Sequence, residues 1–78
     1  MGEAYPDSME LKQATEVALR AHGAAVNDCF EGGGLLIEGY NCGLTDERLR
    51  RVLEAVHGGS AYPEPSEVGD RTWQVAWE

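Results

Sequence analysis

Hydrophobic and polar positions along the chain change period three times, and each change predicts an element. From Met9 to His22, Leu11, Ala14, Val17, Ala18 and Ala21 gather on one arc at 100° per residue, with Lys12, Gln13, Glu16 and Arg20 opposite. That spacing predicts a helix. Asp7 and Ser8 suit its N-cap, Glu10 its first turn and Gly23 its left-handed end. Two β-compatible runs follow, Ala24 to Phe30 and Leu35 to Tyr40. Glu31 and the glycines Gly32, Gly33 and Gly34 lie between them, so a hairpin is expected, with glycine supplying positive φ angles. Leu35 and Ile37 then share one face of the second strand, and Leu36, Glu38 and Tyr40 the other. Asn41, Cys42 and Gly43 form the exit turn.

The second helix has the cleaner signature. Thr45 caps it, Asp46 and Glu47 fill its first turn, and Leu49, Val52, Leu53 and Val56 follow the i, i+3, i+4, i+7 spacing. Gly58 and Gly59 end it. Ser60, Ala61 and Tyr62 read as a short strand stopped by Pro63, and Glu64 to Asp70 as a polar loop. Thr72 to Glu78 alternates, with Trp73, Val75 and Trp77 inward, and makes a final strand. The order is αββαββ. Similar helix endings, Leu19 to Gly23 and Leu53 to Gly58, hint at an internal repeat. An α+β two-layer sandwich is expected, with about four antiparallel strands and both helices on one face. The expected core joins Leu11, Ala14 and Ala18 to Leu49, Val52, Leu53 and Val56 against Trp73 and Val75.

Length and charge narrow the class. Seventy-eight residues make one small domain, 1–78, with 1–6 a loose arm. At 42% hydrophobic and 26% charged the composition is that of a folded chain. A net charge of −8 argues against direct contact with nucleic-acid phosphates or an anionic membrane. No apolar run reaches the roughly 20 residues of a membrane span, and no signal peptide opens the chain. Two cysteines are too few for a disulfide framework, which points to a reducing, cytoplasmic setting.

The chemistry-bearing residues do not assemble into a motif. His22, Cys29, Cys42 and His57 are zinc-ligand types, but no two share the close spacing of a compact site, so neither metal nor cofactor is expected. Cys29 has Asp28 and Glu31 beside it, which weaken a thiol nucleophile. The triple glycine runs into a strand without a Lys and so is a turn, not a phosphate loop. With the nucleophile, base and oxyanion roles unfilled, no enzyme is expected.

Charge distribution carries the functional expectation. Residues 24–47 hold Asp28, Glu31, Glu38, Asp46 and Glu47 and no Lys or Arg. Carboxylates spaced along strands and loops can imitate a row of phosphates on a basic partner. The expected function is therefore a non-enzymatic acidic inhibitor, monomer or homodimer, that occupies the basic surface of a nucleic-acid-binding protein. Asp28, Glu31, Glu38, Glu64, Glu67 and Asp70 are its expected contacts. In size and charge the chain resembles small phage inhibitors of host defence enzymes, anti-CRISPR proteins and other DNA mimics among them, a resemblance of class that rests on no motif. The alternative is an accessory or regulatory domain acting as a homodimer or subunit through an apolar sheet face, anchored by Leu36, Tyr40, Tyr62 and Trp77.

Overall fold

The computed structural model describes residues 8–59 and 61–77, so the arm expected over 1–6, the cap assigned to Asp7, and Ser60 and Glu78 lie outside it. Its elements are α1 (Ser8–Ala21), β1 (Ala25–Cys29), β2 (Gly34–Glu38), α2 (Asp46–Val56), β3 (Ser66–Gly69) and β4 (Thr72–Ala76). The four strands form one antiparallel sheet in the order β1-β2-β4-β3. This is an α+β fold of order αββαββ, as the sequence predicts.

Both helices end alike. Gly23 takes φ +92, with Ala24 N–H donating to the Leu19 carbonyl at 3.1 Å and Gly23 N–H to that of Arg20 at 2.9 Å. Gly58 takes φ +67, with Gly59 N–H on the Glu54 carbonyl at 2.8 Å and Gly58 N–H on that of Ala55 at 3.2 Å. These are two Schellman closures, each with a histidine just before its glycine. In sheet order the second strands of the two αββ units pair centrally and the first strands form the edges. The hinted repeat is thus present in topology and in helix ends. At the other end of α2, the Thr45 hydroxyl accepts from Arg48 N–H at 3.2 Å, the expected N-cap.

The core lies between the helices and one sheet face. Val26 pairs with Ile37, and Ile37 with Trp73, while Leu35 pairs with Val75. All five are buried with Leu19, Leu44, Leu49, Val52 and Leu53, and Val56 and Trp77 pack against the cluster. The faces of β2 and α2 are those the pattern predicts.

Three local expectations are corrected. First, α1 buries a different arc, turned by roughly a third of a turn. Leu19, Thr15 and Lys12 face inward, while Ala14 and Ala21 are exposed and Val17 is 68% exposed. Thr15 is tolerated there because its hydroxyl donates to the Leu11 carbonyl at 2.8 Å. Lys12 is tolerated because its ammonium meets a carboxylate on β1. Second, residues 61–65 carry no strand, and β3 falls inside the expected polar loop, at Ser66–Gly69. It is an exposed edge strand with a register shift between Glu67 and Gly69. Third, the hairpin's positive φ angles fall on Phe30 (52°) and Glu31 (54°), while Gly33 has φ −93.

Tertiary contacts explain two further residues. Gly39 is buried, its N–H donates to the Arg71 carbonyl at 2.8 Å, and a Cβ there would collide with the Leu44 side chain. Only glycine lets the chain pass Leu44 that closely. On the outer edge of β1, which pairs with no second strand among the described residues, the Arg20 guanidinium donates to the Val26 carbonyl at 2.9 Å.

Candidate protein-binding surface

The sheet face turned away from the helices is not covered by any described element. It presents Asn27, Leu36, Gln74 and Ser66 in one row, with Glu38 and Thr72 alongside. Leu36 is its aliphatic centre, half-buried among polar neighbours. Of the other expected apolar anchors, Tyr40 is exposed at 53%, whereas Tyr62 and Trp77 pack against the core. Trp77 also stacks on His57, with ring centroids 6.3 Å apart and planes inclined by 26°.

The six expected acidic contacts divide by what holds them. Asp28 points to the helix side, and its Oδ1 lies 3.1 Å from Lys12 Nζ. Glu64 accepts from Arg50 at 2.6 Å, and Asp46 accepts from the same guanidinium at 2.7 Å. Glu64, Asp46 and Tyr62 together hold Arg50 firmly in its charged form, with its pKa raised above the ordinary arginine value. Glu31, Glu38, Glu67 and Asp70 have no partner for their carboxylates among the described residues. Glu38 and Asp70 lie at the same end of the sheet, since Glu38 pairs with Thr72 and the Thr72 hydroxyl donates to the Asp70 carbonyl at 2.9 Å. Glu67 lies on the edge strand β3. Glu31 stands at the opposite end, on the β1–β2 tip, beyond a five-residue strand about 17 Å long.

Helix charges are mostly matched at home. Glu16 pairs with Arg20 at 2.6 Å and Glu47 with Arg51 at 2.9 Å, both at i, i+4. Glu10 and Glu54 are the helix acids without an ion pair among the described residues, and they add to the unmatched carboxylates of the sheet's turns and edge.

The zinc-type residues are dispersed. Cys29 ends β1 at the tip, while Cys42 follows Gly39 at the far end of β2, beside His22 in a shallow depression that Thr45 and Arg48 also line. Among the described residues no three His, Cys, Asp or Glu side chains are placed to share a metal. Both thiols are free, Cys29 half-buried and Cys42 exposed with its Sγ on the Gly39 carbonyl at 3.6 Å. Burial is the main cause that raises the Cys29 pKa; Lys12 opposes the shift and Asp28 adds to it.

The pattern gave no warning of one residue. Phe30 is read from sequence as the end of a strand, yet it sits at the hairpin tip, 54% exposed. No described helix is long and apolar enough to cross a membrane. No protein-family model, curated protein or solved structure matches this chain.

Proposed function

We propose that this protein is a non-enzymatic acidic binding protein that covers the basic, nucleic-acid-binding surface of a partner protein and so competes with nucleic acid. The observation that supports it is the division of charge just described. Among the described residues, Glu31, Glu38, Glu67 and Asp70 on the sheet's turns and edge have no cation partner, while Glu16, Asp46 and Glu47 on the helices pair with arginines. Unmatched carboxylates spread along the sheet's turns and edge favour association with a basic surface and select against an acidic one. Phosphate mimicry of the kind used by small phage inhibitors is the form of action we infer, in a reducing, cytoplasmic setting. The open sheet face offers little for the alternative, an apolar homodimer, because Leu36 is surrounded there by Asn27, Gln74 and Ser66.

Competition tests the reading. A partner recovered from the native cell should lose its bound DNA or RNA when this protein is added, and salt should suppress the displacement. Neutralising Glu31, Glu38, Glu67 and Asp70 together should abolish it, whereas each single change costs about 0–1 kcal/mol. A stable ternary complex of partner, nucleic acid and this protein would overturn the proposal.

A further inference from the structure

The β1–β2 tip is strained at residues that stability alone would not choose. Phe30 and Glu31 both hold left-handed backbone angles, φ 52 and φ 54. Bulky side chains are crowded there, and glycine or asparagine takes the same angles readily. Register explains where the turn falls. Val26 opposite Ile37 and Asp28 opposite Leu35 fix it, and a slip of one residue would turn the inward side chains of one of the two strands out of the core. Register does not explain a phenylalanine and a glutamate at the two left-handed positions, with Gly32, Gly33 and Gly34 following at once.

Placement suggests what they do. The Phe30 ring leans over Gly34, where a Cβ would lie 2.5 Å from Cδ2, yet the residue stays 54% exposed on the uncovered side of the sheet. Glu31 beside it has no cation partner among the described residues, and no Lys or Arg occurs from Ala24 to Glu47. Exposed aromatics are the favoured anchors of protein interfaces, and strained backbone is retained where a contact requires it.

We propose that the Phe30–Glu31 tip is the anchor of the interface, fitting a basic protein surface that offers an apolar socket next to its Lys or Arg side chains. The ring enters the socket and Glu31 pairs with the adjoining cation. This rests on the acidic-binder reading above and specifies the contact within it.

Phe30 is the chain's single phenylalanine, so growth on 4-fluorophenylalanine places one fluorine at the tip. The probes are two synthetic peptides of equal positive charge, one alternating Arg with Gly and one alternating Arg with Leu. The Arg–Leu peptide should shift the fluorine resonance and bind at least tenfold tighter than the Arg–Gly peptide. Phe30→Gly should erase that difference while melting at or above the parent temperature. Equal binding of both peptides with an unmoved resonance overturns the anchor and leaves the acidic reading standing. Failure of both peptides to bind removes both. If Phe30→Gly and Phe30→Asn each melt well below the parent, the ring is structural cover for Gly34 and the anchor is overturned.

Discussion

Lys12 Nζ lies 3.1 Å from Asp28 Oδ1, joining the buried side of α1 to β1 across sixteen residues of sequence. Lys12 is only 6% exposed, whereas the Asp28 side chain is 64% exposed, so the pair sits at the rim of the core. Removing the carboxylate strands a nearly buried ammonium, while replacing the lysine by a hydrophobe of similar length does not. Asp28→Asn should therefore destabilise by about 1–2 kcal/mol, discounted from a fully buried pair for the solvent at Asp28. Lys12→Met should be close to neutral. Denaturant melts of the two variants settle the order, and a Lys12→Met less stable than Asp28→Asn contradicts it.

The orientation of α1 can be tested on neighbouring residues. Leu19 is fully buried and Val17 is 68% exposed. Leu19→Ala should cost about 2–5 kcal/mol. Val17→Ala should stay within about 0.5 kcal/mol of the parent. Comparable losses from both would restore the arc that the sequence pattern favours.

Gly39 and Leu44 are coupled by contact. Gly39→Ala drives a methyl into the Leu44 side chain and should cost about 1–3 kcal/mol. Leu44→Ala also destabilises, by opening space in the core. Leu44→Ala removes Cγ and Cδ2 but keeps the Cβ, which lies nearest to a methyl at Gly39, so the double variant should retain most of the clash and lose close to the sum of the two single changes. A double variant far more stable than that sum in thermal or chemical melts would show that the outer atoms of Leu44, not its Cβ, set the constraint.

The two thiols should differ in reactivity. Cys42 is exposed, whereas Cys29 is half-buried with its pKa raised. Iodoacetamide at pH 8 should label Cys42 first, as read by mass spectrometry of timed digests. Because the thiolate of Cys29 is disfavoured in the folded state, the protein should also lose stability as pH rises through the ordinary thiol range and above. A Cys29→Ser variant should lose that alkaline decline.

How much was legible in the sequence varies by element, for physical reasons. The α2 stripe could be read because Leu49, Val52 and Leu53 are large, apolar and periodic, and the helix buries what periodicity marks. On α1 the apolar arc consists mostly of alanines, which carry little burial energy. Burial of Thr15 and Lys12 depends on partners that no helical pattern reveals. Strand β3 escaped because all four of its residues are exposed, leaving no alternation to detect. The acidic residues were visible as a group, but the commitment of Asp28 to Lys12 and of Glu64 to Arg50 is set by folding. The angles at Phe30 and Glu31 were hidden for a similar reason: the glycines beside them advertise a turn that the register places elsewhere.

The guanidinium of Arg20 on the outer carbonyl of β1 bears on how the protein behaves at high concentration. An open strand edge is a template on which another copy can add a strand, and repeated addition leads to fibres. Arg20 occupies an acceptor that such a copy needs, and the register shift in β3 distorts the opposite edge. Arg20→Ala would leave the fold's core untouched yet open one side of the sheet to its own kind, so the variant should form thioflavin-positive aggregates at concentrations where the parent remains dispersed.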